Sequence, residues 1–445
     1  MSNLLIVLVI FLGLLLLPSV WRLTIALWSS IFQIYTLAIS GFYPSIALLS
    51  TLSLTPNLVR FWRTFLQWPL VILILLMTLQ AISLLWSSDR HLGLATILYE
   101  LPFLILYVTA FNIALNNPLK LCNMIKVYSL LALVLLVLLI IFDLDRPLNL
   151  LYLKTSLAKI FINPHTIDWY FSFPGHRIWW GVKPRIFTIN PDDAGGYLGI
   201  CALVFWGMGT YYSIKWLKIM AVLQWLGVFL TYSAAAIGLN IFIPLIIASI
   251  VLSKRTFILR IKSRVCIGYF WAGLITLSAL TLILKHNFLS YILFKFKTRF
   301  ILWKAAAVFA PHHLLSGLGF GGWEILYKDY RLDHPDPILS VGLPAHNSFI
   351  NLWSQSGIFA SIVGLMFMLS ILWYSMRAYR LFTTANEKIF SLCIMGGFIW
   401  VFTQGLGENW GVIGEMHIQP ILAVAFGLMI GLYYRKRNDG NPSFA

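Results

Sequence analysis

Charge is what this sequence has least of. Only 11% of its 445 residues are charged, whereas ordinary soluble domains carry about 25%. The runs 4–17, 71–85 and 130–141 contain no charged residue at all. Because about 20 consecutive apolar residues cross a bilayer, the sequence predicts an all-α polytopic membrane protein and excludes an ordinary soluble domain.

Cysteine and acidic residues are also scarce. None of the four cysteines lies in a long polar segment or in a C-x-x-C pair, so the sequence predicts neither a disulfide framework nor a zinc site. Asp and Glu number 15 against 32 Lys and Arg, which gives a net charge of +17. The basic residues are spread over short loops rather than gathered in one patch, which argues against nucleic-acid binding.

About twelve transmembrane helices are predicted, forming a single integral membrane domain over 1–445. The first apolar run is interpreted as a span, because it lacks the basic start and the small-residue cleavage pattern of a signal peptide. The spans centre near 4–20, 31–52, 68–87, 93–113, 127–143, 194–213, 216–232, 236–253, 266–284, 348–375, 389–407 and 417–434.

The distribution of Lys and Arg predicts the orientation. Basic residues cluster at 254–264 and 435–437 and recur in alternate short loops. Cytoplasmic loops carry the excess of Lys and Arg, so both termini are predicted to be cytoplasmic. Two long loops, 144–192 and 286–346, then lie outside, and all nine histidines fall on that outer side.

The outer loop 144–192 contains an amphipathic segment, 148–162, that is predicted to lie in the membrane interface. Four aromatic residues follow it, and they fit either an aromatic belt at headgroup level or a platform for a sugar-bearing or lipid-linked substrate. They are Trp169, Tyr170, Trp179 and Trp180.

Two polar groups stand where this loop meets the next span. Arg185 can snorkel to the interface or hold a phosphate in bidentate fashion. Asn190 or Asp192 can cap the helix start, and the pair Asp192–Asp193 is alternatively a metal site.

The outer loop 286–346 is predicted to carry the catalytic residues. Arg299 and Trp303 are four residues apart, one helical turn, and Gly319 lies in a glycine-rich stretch. His346 stands directly before Asn347 at the mouth of the next span, where an imidazole is suited to act as a general base.

Glu100 is the one clear acid inside a predicted span. Ionisable residues within a membrane are functional candidates by default, although a shallow position also allows a structural role. Both interpretations stay open from the sequence.

These residues resemble the O-antigen ligase superfamily, which includes O-antigen ligases, O-antigen polymerases and O-linked oligosaccharyltransferases. The resemblance is carried by Arg299-x3-Trp303, Pro311, Gly317-x-Gly319, His346-Asn347 and Gly357, by Arg185 before Asn190-Pro191-Asp192, and by the stretch 83–89. The chain departs from the family pattern where Ser233-Ala234 replaces a Ser-Arg pair and where Gln355-Ser356 precedes Gly357.

The resemblance implies a GT-C-like glycosyltransferase of the bacterial inner membrane, with its active site on the outer face. Its donor would be an undecaprenyl-diphosphate-linked glycan, and its acceptor a hydroxyl of a glycan, a lipid or another molecule. Carried over by position, Arg185 and Arg299 would bind the diphosphate and His346 would activate the acceptor. Asn347, Trp303, Gly319 and Glu100 would support them, with no metal and no cofactor.

Three alternatives follow from the same residues. The first is a polymerase of the same superfamily, whose acceptor is another lipid-linked repeat. The second is a flippase or transporter, which needs polar groups on both sides of the membrane midplane. The third is a metal-dependent transferase that uses Asp192 and Asp193.

Overall fold

The computed structural model describes residues 2–36, 42–172, 190–252, 286–309, 313–323, 330, 345–408 and 410–439, and these are built almost entirely of helices. Within them the one strand-like feature is an isolated bridge between Tyr35 and Ser45. Short 3₁₀ turns cover Trp62–Leu66 and Leu84–Trp86. The α-helices are α1 Ser2–Leu15, α2 Ser19–Ser29, α3 Ile46–Leu52, α4 Pro56–Arg60, α5 Trp68–Ser83, α6 Arg90–Asn116, α7 Pro118–Leu144, α8 Arg146–Leu153, α9 Ala158–Phe161, α10 Pro164–Ser172, α11 Pro191–Tyr211, α12 Lys215–Leu230, α13 Ala234–Leu252, α14 His286–Phe309, α15 Ser348–Ser356, α16 Ile358–Leu381, α17 Ala385–Gly405 and α18 Gln419–Asp439.

Six of the described helices are long and apolar enough to cross a membrane: α5 with its 3₁₀ extension, α6, α7, α13, α16 and α17. The first predicted span is shorter, an apolar helix over Asn3–Leu15. The protein is therefore a helical membrane protein. The count of twelve spans and the GT-C-like arrangement stay predictions, and the ninth predicted span, 266–284, lies outside the described residues.

The second predicted span, 31–52, is wrong. Residues 30–36 are not helical, and Gln33 and Ile34 adopt positive φ angles of 56° and 40°. The Gln33 amide explains the break, because it donates to the Met416 carbonyl at 3.3 Å and accepts from the Ser45 hydroxyl at 2.8 Å. The chain folds back on itself, and α3 has only seven residues.

The tenth predicted span, 348–375, is two helices rather than one. Gly357 separates α15 from α16 with a φ of +84° and a ψ of 170°. A side chain there would clash, because a Cβ on Gly357 would lie 1.9 Å from the Leu315 carbonyl oxygen. Gly357 therefore ends α15 and lets the backbone of Leu315 approach closely.

Small residues set the closest helix contacts in the core. Gly427 and Gly431 of α18 meet Ala110 and Ala114 of α6, as expected of small-residue interfaces in membrane bundles. In the same way, Gly199 of α11 receives the ring of Trp400 from α17. The Gly199 contact packs the middle of α11 closely against α17.

The glycine-rich segment 313–323 is wedged between the stretch 83–93 and the end of α15. Gly319 has a φ of +93°, and a Cβ on it would lie 2.3 Å from the Cα atom of Ser87. The Ser87 hydroxyl donates to the Phe320 carbonyl at 2.7 Å, and the Gly321 amide donates to the Gln355 side chain at 2.7 Å. The wedge carries Trp323 into a small core with Leu302 of α14 and Ala345.

We predict that Gly319→Ala destabilises the protein by at least about 2 kcal/mol, because it combines left-handed strain with a backbone clash. Two matched glycines separate these causes. Gly411 has a φ of +65° with open space around its Cα, so Gly411→Ala should cost about 1 kcal/mol. Gly238 has neither constraint, and Gly238→Ala in α13 should be neutral or slightly stabilising. Thermal unfolding in detergent measures the series, and equal effects at all three glycines would contradict it.

Candidate active site at the end of the bundle

Arg299 reaches the site from α14. Its Nε atom donates to the Gly407 carbonyl at 2.6 Å, and its Nη2 atom contacts Glu408 Oε1 at 2.5 Å. A guanidinium carries five N–H donors. Among the described residues, these two bonds leave three donors for a further acceptor, and the side chain is 16% exposed.

Glu408 is the centre of the site. It lies just beyond α17, and its side chain is only 7% exposed. While Oε1 accepts from Arg299, Oε2 lies 3.1 Å from Nδ1 of His346. One desolvated carboxylate thus joins two side chains that are 47 residues apart in sequence.

The contact with Glu408 defines the role of each nitrogen of His346. When the carboxylate is ionised, Nδ1 carries the hydrogen that bonds to it, and Nε2 keeps its lone pair. The imidazole is 25% exposed, so an outside group can reach it. This is the arrangement of an oriented general base, with an acid behind it that stabilises the imidazolium.

The backbone of His346 is left-handed, with a φ of +47°. This conformation costs about 1–2 kcal/mol for a residue with a Cβ, and both neighbours hold it in place. The Ala345 carbonyl accepts from the indole of Trp303 at 3.0 Å. Asn347 caps α15 by accepting from the Phe349 and Ile350 amides, and it donates to the Leu406 carbonyl at 3.1 Å.

Asp192 and Asp193 make protein contacts at the start of α11. Asn190 caps that helix, with its side chain 3.1 Å from the Asp192 amide. The Ser233 hydroxyl donates to Asp192, and the Trp410 indole donates to Asp193 at 2.7 Å. Within the described ranges, no group of three or more His, Cys, Asp or Glu side chains is arranged to hold a metal.

The other predicted site residues lie outside the described residues or away from Arg299 and His346. Arg185 lies outside the described residues, as do Trp179, Trp180, Pro311 and His312. Glu100 contacts Gln80 of α5 at 3.1 Å rather than Arg299 or His346. Gly319 acts through packing, as described above. The structure therefore brings Arg299, Trp303, His346 and Asn347 together, and the catalytic roles of these residues stay predictions.

Glu408 is the residue that the sequence analysis missed. Its signal was present, because it is an acid placed directly after a predicted span, in the short segment Gly405-Leu-Gly-Glu408 on the same predicted face as the histidine and the arginine. A buried charge near a membrane surface needs a partner. Arg299 and His346 were among the residues of complementary chemistry on that predicted face.

The structure defines a helical membrane protein with an Arg–Glu–His site at one end of its bundle. Residues 219–365 match the family described as O-antigen ligase (Wzy_C), which confirms the resemblance to the O-antigen ligase superfamily. The matched segment contains Arg299 and His346, whereas Glu408 lies beyond it. No curated protein matches the chain.

A double-mutant cycle tests the ion pair. Glu408→Gln should destabilise the protein by about 1–3 kcal/mol, because it leaves a largely buried guanidinium without its countercharge. In an Arg299→Gln background the same substitution should cost less, with a coupling energy of about 1–3 kcal/mol from unfolding in detergent. The control pair Glu387→Gln and Arg299→Gln should be additive to about 0.5 kcal/mol, because Glu387 lies at the opposite end of α17. Additivity in both cycles would refute the bridge.

Proposed function

We propose that this protein transfers a glycan from a polyprenyl-diphosphate donor to an acceptor hydroxyl at the outer face of the bacterial inner membrane. The observation that carries the proposal is the bridging of Arg299 and His346 by the carboxylate of Glu408. It supports a base and an anion-binding cation in one small site, at a bundle end where a membrane lipid can present its headgroup.

His346 supplies the base. A sugar hydroxyl is a poor nucleophile, and a positioned base typically contributes about 10²–10⁴-fold to the rate. Nε2 removes the proton of the acceptor hydroxyl, and the imidazolium that forms is stabilised by Glu408 through Nδ1. Glu408 is therefore a positioning residue, since it touches the base rather than the substrate.

Arg299 supplies positive charge that stabilises the leaving diphosphate. As the acceptor oxygen bonds to the anomeric carbon, the bond from that carbon to the diphosphate oxygen breaks, and its electron pair stays on the diphosphate. The three remaining N–H donors of Arg299 fit this developing charge, and removing one such donor typically costs about 10²–10³-fold in rate. Direct displacement inverts the anomeric configuration, and we propose Arg185 as the second cation.

The lipid part of the donor also has a place in the bundle. An apolar cavity of about 440 Å³ lies among α11, α12, α13 and α17, and Gly199, Trp206 and Trp225 are among its lining residues. Gly199 is seven residues, or about 10 Å, along α11 from Asp192. The cavity therefore supports a donor whose hydrocarbon chain enters the membrane while its diphosphate stays at the surface.

We predict that His346→Ala lowers the initial rate of glycan transfer in membranes by about 10²–10⁴-fold, and that Arg299→Ala lowers it by about 10²–10³-fold. His313→Ala is the matched control, because His313 is an exposed histidine in the same predicted outer loop and should keep the full rate. Rates are compared at equal amounts of folded protein in the membrane. Full activity of the His346→Ala or Arg299→Ala protein would remove the assignment.

We also predict that transfer does not depend on a divalent metal, because cationic side chains neutralise the diphosphate in this mechanism. Activity in membranes washed with EDTA should equal untreated activity, and adding Mg²⁺ or Mn²⁺ should not raise it. Loss of activity with EDTA that is restored by a metal would instead support the alternative that uses Asp192 and Asp193.

The acceptor separates a ligase from a polymerase. Arg299, Glu408 and His346 would act on any acceptor hydroxyl in the same way. The product therefore distinguishes a ligase from a polymerase. A single joined product indicates ligation to a distinct acceptor. A ladder of lengthening glycans on the lipid indicates polymerisation.

A further inference from the structure

A second cavity, lined by polar as well as apolar side chains, lies at the end of the bundle opposite the Arg–Glu–His site. It measures about 530 Å³ and is lined where five helices end: α6 at Asn116, α7 at Pro118, α11 at Tyr211, α17 at Glu387 and α18 at Arg435. Glu387 and Glu408 are 21 residues apart across α17, so the two sites are separated by about 30 Å, the thickness of the bilayer core. The charge distribution predicts that this end faces the cytoplasm.

Within the part of the chain that the structure describes, three charged side chains line the cavity, and Arg435 is the one outside the ion pair between the other two. Lys436 is fully engaged, because its Nζ atom lies 2.8 and 2.9 Å from the two carboxylate oxygens of Glu387 and 2.9 Å from the Thr383 hydroxyl. That pair is neutral. Arg435 is exposed and lies within electrostatic range of Tyr211 and Tyr212. The described lining of the cavity therefore carries a net positive charge on Arg435, whose guanidinium fits a phosphate in bidentate fashion.

Two further features favour an anion beside Arg435. The 27-residue helix α7 begins here with Pro118 in its first turn, and the side chain of its N-cap, Asn117, makes no capping bond. Pro118 has no amide hydrogen, and the Lys120 amide donates to the Asn117 carbonyl at 3.2 Å. The Leu119 amide and the helix dipole are therefore what favour negative charge there. The Tyr212 hydroxyl is buried and has no hydrogen-bond partner among the described residues.

The cavity is amphiphilic as well as basic. Leu119, Phe382 and Leu432 line it together with the polar groups, and Leu119 is 59% exposed. A free anion gains nothing from contact with these apolar side chains. A lipid can place its phosphate on the polar groups and its glycerol and upper acyl carbons on the apolar ones. Basic pockets between helices on the cytoplasmic side are known to hold acidic lipid headgroups.

We propose that this cavity binds the phosphate of an anionic phospholipid headgroup, with Arg435 as the cation and the Leu119 amide at the start of α7 as a second donor. The bound lipid ties the ends of α7, α11 and α18 together at the inner surface. This site is independent of glycan transfer, so its test does not depend on the proposed activity.

The test uses the full-length protein, purified in detergent and stripped of lipid. Thermal unfolding is followed while phosphatidylglycerol is titrated into the micelles, with phosphatidylcholine and inorganic phosphate as comparison ligands. We expect phosphatidylglycerol alone to raise the Tm, with the half-effect concentration about tenfold higher for Arg435→Gln. Arg377→Gln is the matched control, since Arg377 is an exposed arginine on the same predicted face that stacks on Trp373 at 4.4 Å outside the cavity.

A second variant allows the lipid site to be tested even if the Arg435→Gln protein folds poorly. Asn117→Asp places a carboxylate at the start of α7, so it should stabilise the lipid-free protein while weakening the response to phosphatidylglycerol. An unchanged lipid response in both variants would overturn the site. An equal Tm shift from phosphatidylcholine or from inorganic phosphate would overturn its assignment to an anionic phospholipid.

Discussion

The carboxylate of Glu408 is the constraint on which the site depends. It is nearly buried, and it contacts Arg299 through one oxygen and His346 through the other. A carboxylate in such a place is stable only if its charge is compensated and both oxygens find donors. The same two donors are the groups that a glycan transferase needs, a cation for a leaving diphosphate and an oriented base. The interaction that satisfies Glu408 therefore also places the two groups on which the proposed transfer rests.

Three segments must meet for that carboxylate to be satisfied, and each is fixed by local structure. Trp303 ties α14 to the residue before His346, and Asn347 ties the residue after it to the end of α17. The glycine-rich wedge brings Trp323 into the same small core. The left-handed backbone of His346 persists because both of its neighbours are held, as is typical of strain at functional sites.

The long apolar helices could be predicted from the sequence, because an uncharged run long enough to cross a bilayer has few alternatives. Gly41 and Pro44 already made the second predicted span doubtful. The break at residues 30–36 could not be predicted, since it depends on Gln33 meeting Met416 from the far end of the chain. The spacing of Arg299 and Trp303, the place of His346 and Asn347 at a span end, and the family resemblance together predicted these four as site residues, and the structure brings them together. Glu408 was missed because a single acid in a short loop gains its meaning only from the side chains that tertiary structure brings to it.

In the proposed reaction, Arg299, Glu408 and His346 act together on a lipid-linked diphosphate. The most direct measurement is an experimental structure of the protein in a lipid nanodisc with bound polyprenyl diphosphate. We expect the diphosphate on the N–H donors of Arg299 that Gly407 and Glu408 leave unused, with Glu408 still bonded to Nδ1 of His346 and Nε2 open to the acceptor. A diphosphate bound away from Arg299, or a His346 turned from Glu408 in that complex, would contradict it.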